Sequence, residues 1–310
     1  MKKKLVLHIG TEKTGTTSIQ ESLYANRNSL IEDSGVYFMQ SLGEKNNQKL
    51  PSSFMALNKK DNYFVNLGVD TEEERIAFKE KVLVGFDKEF NLIPKHVEQV
   101  VISSEHFQSR LTSDSEVEQL FLFLKKYFSE VKVVCYVREQ YSYFLSSYST
   151  KIKSGRVLSV EDYMEQCNSS NPFFNHYIML EIWSRFFGKE NIIVKEFKKE
   201  KLLNGDVVED FYSLLNLKES FTLLKIHTPY NESLNNVGIY IGIIINSIFK
   251  FQTYHLKNKW RATIRSIIIN RIITRIFTGK IKGYDYLKPK IDAEFKDCNE
   301  KLIKEYINRG

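Results

Sequence analysis

Residues 2–23 read KKKLVLHIGTEKTGTTSIQESL, and this stretch decides the fold. An apolar run over residues 5–9 ends at Gly10, a polar loop follows, and a helical pattern begins after Gly15. The order predicts a strand, a loop and a helix. Because unpaired N–H groups and the positive end of the helix dipole converge where a helix begins, we expect the loop to bind an anion.

The candidate ligands of this anion lie in the loop and in the first helical turn. Lys13 places a full positive charge over the loop. The other candidates supply backbone N–H groups and hydroxyls, and they are Thr14, Gly15, Thr16, Thr17 and Ser18. Together they predict a phosphate site, although a Gly/Thr-rich turn with a solvated lysine has the same composition.

The loop differs from the Walker A sequence G-x-x-x-x-G-K-[ST] at one decisive position. Gly10 and Gly15 have the Walker spacing, but Thr16 stands where the lysine would follow. In nucleotide triphosphatases that lysine reaches the β- and γ-phosphates, and the next hydroxyl holds Mg²⁺. Here the lysine is at position 13 inside the loop, so the Walker pairing is missing.

The order Lys13-Thr14-Gly15-Thr16-Thr17, followed by Ile19-Gln20, resembles the 5′-phosphosulfate loop of another enzyme family. These are the sulfotransferases that use 3′-phosphoadenosine 5′-phosphosulfate (PAPS). The strand, the loop and the helix appear in the order that this family requires, and the match extends over eight residues.

The composition is that of a folded protein with a large core. The chain has 310 residues, of which 42% are hydrophobic and 13% aromatic. Three widely spaced cysteines form no C-x-x-C pair, so they predict neither a disulfide framework nor a zinc site and suit the reducing cytoplasm. Lys2–Lys4 imitate the start of a signal peptide, but the apolar run that follows is too short and contains His8.

Apolar strands alternate with amphipathic helices along the chain. Further core strands are predicted at 98–103, 132–137 and 192–197. This alternation predicts an α/β fold of the P-loop type, with three layers and helices on both faces of a central parallel sheet. We expect a core over residues 1–235 and a helical, basic C-terminal extension over residues 236–310 that packs on it.

A second phosphate site is predicted at the end of the strand over residues 132–137. Arg138 follows this strand directly, and Ser146 lies eight residues further on, in a predicted helix. The arrangement resembles the 3′-phosphate motif of the sulfotransferases, and an arginine fork suits phosphate oxygens. Bacterial members of the family are also similar at 103–107, 151–155, 183–197, 210–211 and 231–234.

The resemblance implies in-line transfer of a sulfuryl group from PAPS to a hydroxyl or an amine of a carbohydrate, without a metal. It implies that Lys13 stabilises the leaving phosphate oxygen. The acceptor must lose a proton, and Glu105 and His106 follow the strand over residues 98–103. We favour Glu105 as the base, with His106 as second choice; His8, inside the first strand, is expected to be a core histidine.

Two other functions stay open. One is a P-loop kinase or nucleotide hydrolase with a degenerate loop, which the missing Walker lysine disfavours. The other is a non-catalytic protein that binds acidic polymers through its basic part. The sequence does not define the acceptor, the position sulfated or the oligomeric state, and we expect no nucleic-acid partner.

The net charge of +7 is concentrated near the C-terminus. Residues 250–290 contain eleven Lys or Arg and one acidic residue, so this segment carries +10 and the remainder −3. Arg261, Arg265, Arg271 and Arg275 are predicted to form a stripe on an Ile-rich helix. The segment suits a core-packed helix pair with a solvated face, peripheral contact with the anionic inner face of the membrane, or binding of an acidic polysaccharide.

Overall fold

The computed structural model of the protein describes residues 2–59, 61–219, 221–225, 233–250 and 264–308. Its central sheet consists of β1 (Lys3–Gly10), β2 (Val36–Phe38), β3 (Gln99–Ser103), β4 (Phe128–Val137) and β5 (Ile192–Glu196). The spatial order is β2-β3-β1-β4-β5, and every neighbouring pair is parallel. The opening strand is therefore the middle strand of the sheet.

Helices connect the strands and continue beyond them. In chain order they are α1 (Thr16–Ala25), α2 (Arg27–Ser34), α3 (Lys49–Phe54), α4 (Asn62–Leu67), α5 (Glu72–Leu92), α6 (His106–Arg110), α7 (Asp114–Leu124), α8 (Gln140–Lys153), α9 (Val160–Met164), α10 (His176–Phe187), α11 (Val207–Tyr212), α12 (Asn236–Lys250), α13 (264–276, with π turns over Ile268–Ile273) and α14 (Lys288–Leu302, followed by a π turn at Ile303–Ile307). Short 3₁₀ turns lie at Lys189–Asn191, Lys199–Lys201, Leu203–Gly205 and Asp285–Leu287.

Helices cover both faces of the sheet, because successive residues of the strands point to opposite sides. Leu5, Leu7 and Ile9 pack in one apolar cluster with α5, α7 and α10. Val6 packs in another cluster with α1, α2 and α11. The predicted α/β fold, with a central parallel sheet between two helical layers, is confirmed.

One local departure from the prediction coincides with a contact to a distant segment. The helical pattern that begins after Gly15 does not predict a break at Asn26, but the structure has α1 and α2, which meet at this residue. The Asn26 side chain accepts a hydrogen bond from Leu224 N (2.8 Å) and donates one to Leu224 O (3.1 Å). This side chain therefore links the junction to a distant segment, which a pattern confined to α1 and α2 does not contain.

The chain divides into two compact units. One comprises Met1–Arg138, His176–Thr228 and Lys301–Gly310, and the other comprises Glu139–Asn175 and Pro229–Glu300. The first contains the sheet and the two clusters on its faces, and the second has its own aromatic and aliphatic core. The expected division at residue 235 follows chain order, whereas each unit combines separate stretches of the chain.

Candidate anion-binding and catalytic site

The candidate residues of the first unit lie at one edge of its sheet. The neighbouring parallel strands β3, β1 and β4 all end at this edge. A candidate residue follows each of these ends within three residues: Glu105 after β3, Lys13 after β1 and Arg138 after β4. Ligands of open parallel sheets bind beyond the carboxyl ends of the strands, so the edge is the expected place for a site.

Threonine side chains close the loop after β1. The Thr11 N–H and hydroxyl donate to the Tyr136 carbonyl, at 2.8 and 3.0 Å. The hydroxyls of Thr14 and Thr16 then donate to the Thr11 carbonyl, at 2.7 and 3.2 Å. The O–H groups of two predicted anion ligands are therefore engaged within the loop, which leaves their backbone N–H groups as the donors to consider.

The backbone N–H groups of residues 13–17 donate to no acceptor in the described part of the chain. Ser18 and Ile19, one turn further on, already donate to the Gly15 carbonyl. Lys13 and Gly15 have left-handed backbones, with φ of 65° and 78°. A run of consecutive donors in such a loop at the start of a helix suits a phosphate or sulfate group.

The Lys13 side chain is half-buried beside these donors. Burial lowers the pKa of its amino group, whereas nearby Glu12 and Glu105 raise this pKa and Arg138 lowers it further. The amino group has no ion pair with a described residue. A partly desolvated cation that forms no ion pair with a described residue attracts an anion, and its left-handed backbone is the kind of strain found at functional sites.

Glu105 lies directly against the start of the loop. A Cβ atom on Gly10 would lie 3.0 Å from the Glu105 Cα. Gln20 Nε2 donates to Glu105 Oε2 at 3.0 Å, and Asn46 Nδ2 lies 3.3 Å from Oε1. Burial raises the pKa of the Glu105 carboxyl, while the hydrogen bond from Gln20 and the charge of Arg110 lower it. A desolvated carboxylate with a raised pKa near a cation is suited to proton abstraction.

Sequence reasoning missed two residues that hold Glu105. Gln20 is buried on α1, inside the motif that was used to predict the site. Asn46 comes from the irregular stretch between β2 and α3, and its Oδ1 accepts a 2.7 Å hydrogen bond from the Ser104 hydroxyl. The buried position of Gln20 on a helix was a usable signal, whereas Asn46 carried only the composition of a loop.

His106, the second candidate base, begins α6. Its Nδ1 atom is buried and has no hydrogen-bond partner among the described residues. Burial lowers the pKa of the imidazole well below its usual value, and nearby Arg110 lowers it further. Arg110 itself contacts Glu12 (3.3 Å) and Asp61 (3.1 Å). His106 is therefore neutral at physiological pH, and a weaker base than an ordinary histidine.

Arg138 contacts the loop directly. Its Nη1 donates to the Lys13 carbonyl at 3.2 Å. Its own carbonyl accepts a hydrogen bond from His176 Nε2 at 2.8 Å, and burial lowers the pKa of His176 to about 4. The guanidinium therefore fixes the backbone of the residue that bears the candidate catalytic amine.

Ser146 belongs to the second unit, where it is buried in α8. Its assignment to a 3′-phosphate together with Arg138 stays a prediction from the sequence. Tyr143, Phe144 and Tyr148 of the same helix are fully buried in the core of the second unit. They therefore act as core residues, the interpretation that helical spacing of aromatic side chains favours.

His8 is a core histidine, as expected. The side chain is fully buried in β1, and its Nδ1 lies 2.8 Å from the Ser103 hydroxyl. Its ring packs against Tyr136 and Phe211, and burial lowers its pKa to about 3. It therefore stays neutral and supports the sheet under the loop.

Two features are absent from the described part of the chain. No group of three or more His, Cys, Asp or Glu side chains that could hold a metal ion is found there. No helix in the same residues is long and apolar enough to cross a membrane. Asn231, Glu232 and Arg261, which the sequence singled out, lie outside the described residues.

No family model matches the sequence. Over 210 residues the chain is 24% identical to an uncharacterized protein of Archaeoglobus fulgidus; the match covers 67% of the chain and 54% of that protein, so the chain spans about half the relative's length. Two solved structures are similar. The first is a sulfotransferase from Alicyclobacillus acidocaldarius, with 13% sequence identity and a TM-score of 0.47 over 86% of this chain and 95% of that chain. The second is the sulfotransferase domain from the curacin biosynthetic pathway, with 11% identity and a TM-score of 0.35 over 69% of this chain and 72% of that chain. At these identities the activity has to be inferred from the site itself.

Proposed function

We propose that the protein is a PAPS-dependent sulfotransferase that transfers a sulfuryl group to a hydroxyl or an amine of a carbohydrate. One observation supports the proposal most strongly, namely that three kinds of group meet at the same edge of the sheet. They are five consecutive backbone N–H groups without an acceptor among the described residues, the half-buried amine of Lys13, and the Glu105 carboxylate with its raised pKa. This combines an anion-binding loop, a cation for developing charge and a base.

The residues present fit the phosphosulfate end of the donor. PAPS, when bound, supplies an activated sulfuryl group attached to its 5′-phosphate. The N–H groups of residues 14–17 would hold that phosphate, and Lys13 would stabilise the charge that develops on the leaving oxygen. Arg138 keeps the Lys13 backbone in place through its 3.2 Å hydrogen bond. The 3′-phosphate is assigned to Arg138 and Ser146 from the sequence motif alone.

Glu105 would take the proton of the acceptor. Its raised pKa brings its basicity closer to neutral pH, where a general base is most effective. Glutamate bases are frequent in the glycan sulfotransferases that the sequence resembles, which supports a carbohydrate acceptor. His106, whose pKa is lowered, is the second choice.

Thr16 favours this function over that of a kinase or nucleotide hydrolase. It occupies the position of the Walker lysine, is buried, and donates its hydroxyl to the Thr11 carbonyl. The side chain that would reach the β- and γ-phosphates in a triphosphatase is therefore replaced by one that closes the loop. At this position the loop therefore lacks the main cation that would bind a triphosphate.

The location is proposed to be the cytoplasm. The three cysteines, Cys135, Cys167 and Cys298, are all free thiols. Two of them are buried, and burial raises the pKa of the Cys167 thiol to about 12. Free thiols suit a reducing compartment.

Thermal shift measurements with two nucleotides test the donor. Adenosine 3′,5′-bisphosphate should raise the Tm without Mg²⁺, whereas ATP with Mg²⁺ should raise it less. Incubation with radiolabelled PAPS and a panel of glycans then tests the reaction. Tighter binding of ATP that requires the metal would replace this proposal with the kinase, and nucleotide binding without transfer to any acceptor would favour a binding protein.

A further inference from the structure

Helices α12 and α13 of the second unit form an antiparallel pair, here called the hairpin. A Cβ atom on Gly238 would lie 2.8 Å from the Phe277 carbonyl oxygen, so the start of α12 meets the end of α13. At the other end, Arg265 Nη1 donates to Asn246 Oδ1 at 3.2 Å. The two helices therefore run side by side over most of their described length.

One side of the hairpin packs inward. Ile239 and Ile273 belong to the core of the second unit. Asn246 is buried, and its Nδ2 donates to the carbonyls of Ile152 (2.8 Å) and Arg156 (2.9 Å). Both helices thus lie on the same core, which leaves their opposite sides towards solvent.

The solvent side of the hairpin carries many large apolar side chains. On α12 the exposed apolar residues are Val237, Tyr240, Ile244 and Ile248, which span an arc of about 80° at about 100° per residue. On α13 they are Ile264, Ile267, Ile272 and Ile276. Tyr240 is 67% exposed, Ile248 66% and Ile276 64%. Eight large apolar side chains on one helix pair exceed the single exposed residues normal for a soluble surface.

Cations border and interrupt these apolar side chains. Arg271, Arg275, Lys280 and Lys282 are exposed, and none forms an ion pair with a described residue. Lys282 is attached to the start of α12, because its N–H donates to Asn236 Oδ1 at 2.8 Å. The hairpin therefore combines an apolar face with unneutralised positive charge along it.

The predicted arginine stripe needs one correction. Arg265 is not on the solvent side: its guanidinium lies against Gly155, where an added Cβ would be 2.4 Å from Nη1, and it donates to Asn246. Burial lowers the pKa of this guanidinium. Arg265 therefore joins α13 to the core, and Arg271 and Arg275 supply the surface charge of this helix.

We propose that the solvent side of the hairpin is a docking surface for an anionic membrane. Aliphatic and tyrosine side chains would enter the interface between headgroups and acyl chains, while Arg and Lys side chains reach the phosphates. Charge complementarity favours lipid over a second copy of this chain. Self-association through this face would bring Arg271, Arg275 and their equivalents together without a carboxylate from the face to neutralise them.

Co-sedimentation of the 310-residue protein with vesicles tests the proposal. The probes are vesicles of phosphatidylcholine alone and vesicles containing about one third phosphatidylglycerol. Binding should occur on the anionic vesicles, and raising the salt from about 0.1 to 0.5 M should weaken it strongly. The protein should stay in the supernatant with the neutral vesicles.

Two double variants separate the charged and the apolar contributions. Arg271→Glu with Arg275→Glu should lower partitioning at least 25-fold, since each cation near an anionic surface contributes about fivefold. Ile244→Ser with Ile248→Ser should lower it roughly tenfold. All four side chains are exposed, so the Tm should not change.

Helix α5 of the first unit provides matched controls. Lys81→Glu with Lys88→Glu makes the same change in net charge at exposed positions, and Val84→Ser with Leu92→Ser removes exposed apolar groups. These variants should bind the anionic vesicles nearly as well as the wild-type protein, apart from a small loss through net charge. Equal losses in the control and hairpin variants would overturn the proposal.

Three further outcomes would also overturn it. The first is the absence of binding to either kind of vesicle. The second is a wild-type dimer, detected by light scattering, that does not bind vesicles and that dissociates in the Ile244→Ser, Ile248→Ser variant. This result would assign the face to a second copy of the chain. The third is binding to soluble dextran sulfate but not to vesicles, which would assign it to an acidic polysaccharide.

Discussion

Replacing Glu105 by glutamine tests the proposed base with little change in shape. We expect the variant to bind adenosine 3′,5′-bisphosphate like the wild-type protein but to turn over PAPS about 10²–10⁴-fold more slowly. Such a loss corresponds to about 2.7–5.4 kcal/mol of transition-state stabilisation. The side chain keeps its size, so this loss would report the missing base.

The structure indicates why stability should hardly change. The carboxylate accepts hydrogen bonds from the side-chain amides of Gln20 (3.0 Å) and Asn46 (3.3 Å). A glutamine at position 105 has one acceptor oxygen, so it can accept from one of these amides while its own NH₂ group faces the other. One lost hydrogen bond costs about 0.5–1.5 kcal/mol. Removing a desolvated charge offsets this cost, because burial disfavours the ionised form of Glu105.

The two ionisable groups predict the pH dependence of turnover. The proposed base, Glu105, would act when ionised, and its pKa is raised, so the rate should rise with pH through a pKa above the usual 4.5 of a glutamate. Lys13, the proposed cation for the leaving oxygen, would act when protonated, and its pKa is lowered, so the rate should fall through a pKa below 10.5. The acid limb should disappear in the Glu105→Gln variant, while the alkaline limb remains.

The contribution of Glu105 to the free energy of unfolding should fall as pH rises, whereas turnover should rise. A carboxyl group whose pKa is raised by folding contributes most below its ordinary pKa, and this contribution is lost as pH rises through the raised pKa. The Tm of the Glu105→Gln variant should therefore improve relative to wild type as pH rises from 4 to 7.

His106→Ala is the matched test of the neighbouring residue, and its effect on turnover should be milder. A more severe loss in this variant would reverse the two roles. Wild-type turnover in Glu105→Gln, with the acid limb intact, would refute Glu105 as the base.

The remaining predictions concern the loop and its supports. Lys13→Ala should lower turnover by about 10²–10³ in single-turnover assays, because one preorganised donor to the leaving oxygen is lost. Arg138→Ala should weaken binding of adenosine 3′,5′-bisphosphate by about 1.5–3 kcal/mol in calorimetry, and Arg138→Lys should not restore it fully. Negligible effects of both alanine variants would show that neither phosphate site lies where it is proposed. Asn46→Ala should move the acid limb to higher pH with little change in the plateau rate, since it removes a donor to the Glu105 carboxylate; an unchanged limb with a lower plateau would contradict this role.

The strands and the loop were accessible from the sequence because their signals are local. An apolar run that ends at Gly10 and a helical pattern after Gly15 are sufficient to place a strand, a loop and a helix. The wider sheet follows from strands that are buried on both faces, which appear as continuous apolar runs. The structure confirms each predicted strand.

The contacts of Asn46 and Asn26 were not accessible, because they join distant segments. Asn46 reaches Glu105 across 59 residues, and Leu224, 198 residues from Asn26, is hydrogen-bonded to the Asn26 side chain. Neither contact leaves a periodic signal in its own segment. The inward turn of Arg265 is similar, since its guanidinium lies against Gly155, which is far from α13 in the sequence.

Under the proposed function, the loop would separate binding of the donor from acceleration of the reaction. The hydroxyls of Thr14 and Thr16 are engaged by the Thr11 carbonyl, so the loop would contact the 5′-phosphate through backbone N–H groups. These donors would hold the phosphate in the ground state as in the transition state, so they contribute mainly to affinity. Charge on the leaving oxygen grows only as the bond to sulfur breaks, and Lys13 is the nearby cation without an ion pair to a described residue. Substitution of Lys13 should therefore lower kcat more than it raises KM, whereas a change that alters the path of the loop, such as Gly15→Ala against Val207 at 2.7 Å, should act mainly on KM.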